Sequence, residues 1–489
     1  MGRHKIGLII PHPEEQKWDT VWKIFRTPNL NLPTLAALIP EDEWDIEIQD
    51  ELVGPIDFTR EYDLALITVT TSVAYRSYEV ARLFRERGAK IVLGGLHPST
   101  VPQEAACHAD AVVIGEGELT LPRLLDDFRM GKLERFYRMP YMVEQWDRRP
   151  PRWDLLPPGY MFREALTATR GCNYRCTFCS IHLALGGGQF GYRKKPPAEV
   201  VKLVDNMSGP MVMFWDDDLL SDPTYTRELC LALKPLKRKW MSQMSATYVA
   251  NHPDMLKILA EGGCSAMFMG LESINQDSLK SINKQNSAKT YEELIRRVHD
   301  YGIDIHAGFI CGLDHEDVYQ FERTAEWATR MGLCGAIWRI LTPYPGTKLF
   351  DELKAAGRLL TTDWTYYGGE HVVYRPAKMT VEELYWGQKW AKRHFYSYRS
   401  IGERMVRRAT QNGAHELLNT LGSGLGYRSM FQLSAELPVD VYRDLRHLPP
   451  QPTPAGHRLP YPEKKNKFAF MTSRIGKKSS GIPRSSAPV

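Results

Sequence analysis

Short apolar runs separated by helix-like stretches fill most of the 489 residues, and their order leaves few folds open. KIGLII (5–10), WDIEIQ (44–49), LALIT (64–68), KIVLGG (90–95) and AVVIG (111–115) read as buried strands. Between the third and fourth lies AYRSYEVARLFRERG, with apolar residues at helical spacing and Gly88 as a stop. Strand, helix and strand in that order predict parallel crossovers, hence an α/β fold with a doubly wound parallel sheet. Such sheets bind ligands beyond the carboxyl ends of their strands. Those ends carry Thr68 and Thr71, then Gly94-Gly95-Leu96-His97-Pro98, then Gly115-Glu116-Gly117-Glu118. Glycines there allow a ligand close to the backbone.

A Pro- and Arg-rich stretch, DRRPPRWDLLPPGY (147–160), reads as a linker, after which the alternation resumes. Strands are predicted at 164–169, 211–216, 239–246, 266–272, 304–310 and 335–341, with helices at 253–263 and 287–302 among those between. Six βα units in a row predict a (β/α)6 partial barrel over 161–345, with its chemistry at the carboxyl ends of the strands. Residues 346–450 are more irregular, aromatic and mostly helical, with a helix around Val381–Tyr398. Residues 451–489 mix Pro, Ser, Gly and Lys and read as disordered, and 1–146 form the first domain.

The formal charge of +5 is concentrated at the end of the chain: residues 451–489 hold eight Lys or Arg against Glu463, leaving the rest slightly acidic. No basic face for nucleic acid is implied. The run Ile6 to Ile10 is too short for a signal peptide, and no stretch approaches the ~20 apolar residues of a spanning helix. The expectation is a cytoplasmic protein whose eight cysteines stay reduced. The basic tail reads as a solvated extension, with peripheral contact to an anionic membrane as the alternative.

Three of those cysteines fall in TATRGCNYRCTFCSIH (167–182), giving Cys172-x3-Cys176-x2-Cys179 directly after a predicted strand. Three thiolates on one tight loop can bind three irons of a cubane cluster, and a fourth cysteine is absent from the loop. One iron then keeps an open position, which is what distinguishes a catalytic metal site from a closed structural one. Arg170 and Gly171 precede the first ligand, and Phe178 stands where it could shield a cluster from water. The alternatives are buried apolar cysteines, or a zinc site completed by a distant residue such as His182; no second zinc knuckle accompanies it.

This spacing, with an aromatic before the third cysteine, resembles the signature of the radical S-adenosylmethionine (SAM) family. The resemblance implies a [4Fe–4S] cluster on Cys172, Cys176 and Cys179. It also implies SAM chelated at the open iron and cleaved by one electron to methionine and a 5′-deoxyadenosyl radical. FWDDDLLSDP (214–223) looks like the family's second-strand segment, with Asp216 and Asp217 facing the SAM amino group. Gln243 and Ser245 fall on the third strand, and GLES (270–273) puts Glu272 where relatives contact the SAM ribose. GFICGLDHE (308–316) and LTPYPGT (341–347) match the next two strand ends. The alternatives are a solvated turn for Asp216 to Asp218 and a structural ion pair for Glu272.

The segment LGGLHPSTVPQEAACHADAVVIGEGE (93–118) resembles the cobalamin-binding domain that precedes the barrel in one large radical SAM subclass. The resemblance runs from Lys5 to about Asp127 and implies that Thr68, Gly94, Gly95, His97, Gly115, Glu116 and Gly117 line a cobalamin site. Proteins that ligate cobalt through histidine carry Asp-x-His-x-x-Gly after the first strand, where this chain has IIPHPEE. His12 therefore reads as a loop histidine, and His97 as loop-shaping or nucleotide-contacting. A domain that has lost cobalamin is the other reading.

With cobalamin bound, the resemblance implies methylation of an unactivated carbon, SAM serving both as radical source and as methyl donor to cobalt. An oxidative cyclase or C–C bond-forming enzyme of the same architecture is the alternative; a non-enzymatic Fe–S sensor is a third reading. Methylthiotransferases carry three cysteines in their N-terminal domain, where this chain has only Cys107. Trp364, Tyr366, Tyr367, His371 and Tyr374 are candidates to line a substrate pocket, whereas Trp386 and Trp390, at helical spacing, read as core. The substrate is a small molecule or lipid of unspecified class, and flavodoxin or ferredoxin is the electron donor that the family implies.

Overall fold

The computed structural model describes residues 2–12, 26–139, 149–184, 191–209, 211–412, 420–426 and 428. The expected disordered tail, 451–489, lies outside the described residues, as do 147 and 148 of the expected linker.

The first sheet contains β1 (His4–Ile10), β2 (Trp44–Asp50), β3 (Leu64–Thr68), β4 (Lys90–Gly94), β5 (Ala111–Ile114) and β6 (Phe136–Arg138). Their order is β2-β1-β3-β4-β5-β6 and every pairing is parallel. Continuous apolar runs suit strands covered on both faces. All of β3 is buried, its residues alternating between two cores: Ala65 and Ile67 pack with Ile9, Ile91 and Phe84, while Leu64 and Leu66 pack with Leu8, Val92 and Leu124. The expected helix runs Ala74–Arg85 and buries Tyr78, Ala81 and Phe84. The three-residue β6 was too short to read from sequence.

The second sheet begins with β7 (Ala165–Leu166); then β8 (Thr169–Arg170) and β9 (Arg193–Lys194) form a separate antiparallel pair. Next come β10 (Met211–Phe214), β11 (Lys239–Gln243), β12 (Cys264–Glu272), β13 (Asp304–Cys311) and β14 (Gly335–Ile340). The order β14-β13-β12-β11-β10-β7 is sequential and parallel, and β14 does not pair with β7, so the six βα units make a partial barrel. Two expected strands are cut short. The run 164–169 leaves the sheet after Leu166 because the Asp216 carboxylate takes the backbone N–H groups of Ala168 and Thr169. The run 239–246 stops at Gln243 because Ser245 starts the helix Ala246–Asn251.

Beyond β14, helices Val381–Phe395 and Tyr398–Asn412 pack on the barrel. A reciprocal capping box of Thr380 and Glu383 starts the first. Its buried stripe is Leu384, Tyr385, Gln388, Ala391, Lys392 and Phe395, which corrects the core expectation for two tryptophans. Trp386 lies off that stripe and is 47% exposed, and Trp390 is half-buried, stacked on His394. Fully buried Arg404 and Arg408 anchor the second helix, donating to the carbonyls of Leu333 and Cys334 and to Asp304. No helix among the described residues is long and apolar enough to cross a membrane.

Candidate functional site

The cysteine loop leaves β8 through Gly171, whose φ of +93° and whose closeness to the Gly191 carbonyl, 2.5 Å from any added Cβ, leave room only for glycine. Gly171 donates its N–H to Asp217 Oδ2 at 2.8 Å, fixing the start of the loop. Thr177 N donates to the Ile282 carbonyl at 3.0 Å, and its own carbonyl accepts from Leu349 N at 3.0 Å. Asn283 Nδ2 donates to the Arg175 carbonyl at 2.8 Å. Cys172, Cys176 and Cys179 are half-buried free thiols on this fixed loop.

Burial pushes these thiols up, Cys172 to about 12 and Cys176 and Cys179 to about 11. They become thiolates only when a cation offsets that cost, as a metal does. Among the described residues no three of His, Cys, Asp and Glu are gathered tightly enough to hold one metal ion. His182, the proposed zinc partner, instead bonds the Tyr174 carbonyl and Arg175.

The three aspartates after β10 point three ways. Asp216 is 4% exposed and is occupied by Ala168, Thr169 N and Thr169 Oγ1, the last at 2.5 Å; burial raises its carboxyl to about 7. Asp218 accepts from Ser245 N and Ser221 Oγ, each at 2.9 Å. Asp217 lines the cavity between the two sheets, and Gln243 donates to its backbone carbonyl at 2.8 Å. Of the expected pair, Asp217 is thus the one open to a ligand, with Asp216 holding the strand end.

Glu272 adopts φ +63° at the end of β12, a left-handed conformation rare for a side chain of its kind. It pairs with Lys284 at 3.0 Å, and both side chains are about one-eighth exposed. Burial lowers the Lys284 ammonium, but the Glu272 carboxylate and Cys176 outweigh it, so the lysine stays charged beside the cysteine loop. The ion-pair alternative for Glu272 is therefore present in the fold, and Lys284, which no motif marked, brings a cation to the cysteines.

A cavity of about 600 Å³ opens beyond the carboxyl ends of the first sheet. Thr68, Gly94, Gly95, Gly115, Glu116 and Gly117 line it from that side, Thr167, Arg170, Trp215 and Asp217 from the barrel. Gly95 has φ +102°, and an added Cβ would meet Thr68 Oγ1 and the Val69 carbonyl at 3.0 Å. Gly115 has φ +91° and lies against Met139. A backbone-walled cradle of this kind fits a broad flat ligand such as a corrin.

His97 is not in that wall. It is fully buried, 3.3 Å from Glu104 Oε1, with its ring 5.5 Å from Trp364, so it shapes the loop and not the cavity. His12 does line the cavity, its Nε2 3.2 Å from Asp50. Thr71, at 2% exposure, is buried and is not among the residues lining this cavity.

One network joins the two candidate sites. Glu116 is gripped by Arg193 through Nη1 at 2.8 Å and Nη2 at 2.6 Å, and Arg170 reaches it at 3.1 Å. Arg170 also pairs with Glu118 at 2.5 Å. The sequence marked Glu116 and Arg170 separately but carried no sign that Arg193 would join them.

Of the aromatic candidates, Tyr367 and Tyr374 are wholly buried, donating to the carbonyls of Thr361 and Gly312, and belong to the core. Trp364 donates to both Glu104 oxygens at 3.0 Å. Tyr366 and His371 lie edge to face, 5.3 Å apart.

Residues 166–328 match the model of the radical SAM superfamily and residues 25–125 that of the B12 binding domain. The chain is 28% identical over 394 residues to bacteriochlorophyllide d C-12(1)-methyltransferase of Chlorobaculum tepidum, covering 77% of this chain and 84% of the relative. Its fold is similar to that of the cobalamin-dependent SAM radical enzyme OxsB with aqua-cobalamin bound (TM-score 0.63, 15% identity, 91% of this chain and 80% of the other). It is also similar to the radical SAM methyltransferase TsrM from Kitasatospora setae with cobalamin and a [4Fe-4S] cluster bound (TM-score 0.57, 16% identity, 73% and 75%).

The fold and site thus define an enzyme that joins a B12-binding domain to a radical SAM domain. A radical SAM domain beside a B12-binding domain implies SAM, a [4Fe–4S] cluster and cobalamin as cofactors.

Proposed function

We propose that this protein is a cobalamin-dependent radical SAM C-methyltransferase acting on an unactivated carbon of a small molecule. When bound, the cluster with SAM supplies a 5′-deoxyadenosyl radical and cobalamin supplies the methyl group. The chain's own part is placement. Cys172, Cys176 and Cys179 would hold three irons, and Asp217, Gln243, Ser245 and Glu272 would contact SAM, with Asp216 bracing the strand end. The glycines at 94, 95, 115 and 117, with Thr68 and Glu116, would cradle the corrin.

The observation that carries this reading is the sharing of walls. Arg170 sits two residues before the first cluster cysteine and also lines the cavity of the first sheet, as does Asp217, which fixes Gly171. Two candidate cofactor sites therefore meet at one mouth, where a single substrate carbon can lie between them and water can be excluded. The enzyme is read as cytoplasmic, with flavodoxin or ferredoxin as electron donor; the reducing compartment suits the eight free cysteines.

The test is product analysis of the loaded enzyme with bacteriochlorophyllide d, the compound in the relative's name. Methyl transfer requires S-adenosylhomocysteine and 5′-deoxyadenosine together, with the CD3 group of labelled SAM in the product. An oxidative cyclase forms 5′-deoxyadenosine without S-adenosylhomocysteine, and that result would replace the methyltransferase reading.

A further inference from the structure

Glu370 lies at the carboxyl end of β14 with more positive charge around it than it can neutralise. It accepts from Arg339 Nη1 at 3.0 Å, from Gln388 Nε2 at 3.0 Å and from Lys392 Nζ at 2.5 and 2.7 Å, and Lys389 Nζ stands 3.5 Å away. Three cations thus share one carboxylate, a surplus of two charges. His371, beside Glu370, adds none at neutral pH, because burial holds its imidazole down at about 4.

The surplus has an exposed edge. Arg339 is 43% exposed, and its Nε and Nη2 have no hydrogen-bond partner among the described residues. Behind it, two polar atoms are buried without partners: Oε1 of Gln388, a wholly buried side chain, and Nδ1 of His371, which is 7% exposed. Buried polar atoms in native folds are almost always satisfied, and of these two His371 Nδ1 can donate, so beside the cations it calls for an acceptor, whereas Gln388 Oε1 is itself an acceptor and takes no part.

The place is the right one. Residues 359–374 form a loop closed by the Leu359–Tyr374 bridge, and it lies over the end of β14 through Ile340 N to the Gly369 carbonyl at 2.8 Å. A Cβ on Gly369 would come within 2.9 Å of Arg339 Cδ, so glycine lets the loop lie against the guanidinium. The same loop reaches the first sheet, where Gly368 faces Ser72 and Trp364 bonds Glu104. The cation group therefore sits at the β14 side of the barrel mouth, across the sheet order from the cysteine loop beside β7.

We infer that Arg339, assisted by Lys389, binds a carboxylate carried by the substrate. A planar guanidinium with an open edge takes a carboxylate bidentately, and charge-assisted bonds of this kind are the stronger ones. This rests on the methyltransferase reading for its site but not for its test. The carboxylate can come from a tetrapyrrole pigment or from a lipid, and the experiment separates them.

The loaded protein is titrated with two acid and ester pairs: bacteriochlorophyllide d and its methyl ester, and oleic acid and methyl oleate. Wild type is expected to hold one acid at least about tenfold more tightly than its ester, the strength of one hydrogen bond to a charged group. R339Q and K389M are expected to shrink that ratio while leaving ester binding unchanged, which also shows that the variants are folded. The pair that shows the ratio identifies the source of the acid. Equal affinity for acid and ester in both pairs, or variants that weaken acid and ester alike, would overturn the inference. Failure of the methyltransferase reading is separate: acid preference would persist while no S-adenosylhomocysteine forms.

Discussion

Arg170 reaches back from the cysteine loop to pair with Glu116 at 3.1 Å in the loop after β5 of the first sheet. One buried guanidinium thus ties the wall of the corrin-sized cavity to the start of the Cys172 loop, with Arg193 gripping the same carboxylate from the other side. A shift of either loop is felt by the other.

Removing Glu116 takes the carboxylate from the buried Arg193 guanidinium and one of two from Arg170, which keeps Glu118. E116A is expected to cost about 3–5 kcal/mol, read as a lowered urea midpoint, and E116Q less. Burial works to raise the Glu116 carboxyl, but Arg193 and Arg170 outweigh it and hold it below the usual carboxylate range. A lowered carboxyl stabilises the fold above its unfolded value near 4.5 and loses that contribution as pH falls through the folded value. Wild type should therefore lose stability on acidification more steeply than E116Q.

Glu316 carries the opposite sign. It is wholly within the fold, accepting from Ser273 Oγ at 2.6 Å, and burial pushes its carboxyl from 4.5 up to about 7. A raised carboxyl takes up a proton on folding, so its contribution is full below pH 4.5 and fades as pH rises through 7. E316Q, which mimics the protonated form, should be more stable than wild type at pH 8 by roughly 3 kcal/mol at most. Chemical denaturation at pH 5 and pH 8 checks this: the difference should be largest at pH 8 and fall below about 1 kcal/mol at pH 5.

Gly95 tests the cradle. G95A forces a side chain into φ +102° and against Thr68 and Val69, costing on the order of 1–3 kcal/mol. The fraction of protein that keeps cobalamin through desalting, measured by absorbance, should fall severalfold while iron content stays near that of wild type. Equal retention would remove Gly95 from the site.

E272Q keeps the shape of Glu272 and loses its charge. SAM affinity, measured by equilibrium binding to the cluster-loaded protein, should drop about tenfold with cluster absorbance unchanged. Loss of the cluster together with SAM binding would mean that Glu272 serves only to hold Lys284.

What was legible in the sequence was local. Apolar runs and helical spacing located the strands of both sheets apart from the three-residue β6, and the three cysteines announced themselves because a cluster needs its ligands on one loop. Gly95 and Gly115 were legible because backbone at positive φ admits little else. What failed to show was long-range. Arg193 and Glu116 are 77 positions apart, and nothing in either neighbourhood names the other. Lys284 and Arg339 gain their meaning only from Glu272 and Glu370, which the fold brings to them. His97 stood in a conspicuous motif, yet its ring turned from the cavity towards Trp364, more than 260 positions on. β7 ended early for the same reason: Asp216, from the segment after β10, took the N–H groups that would have continued its ladder.

The central claim is one chain with a SAM-cleaving cluster beside cobalamin, and one experiment addresses it directly. Wild type and C176A are reconstituted without oxygen with iron, sulfide and hydroxocobalamin, desalted, and incubated with SAM and dithionite. The account predicts 5′-deoxyadenosine from wild type alone, with cobalamin retained near one per chain. SAM cleavage by C176A at the wild-type rate, or a wild type that holds neither iron nor cobalamin, would contradict it.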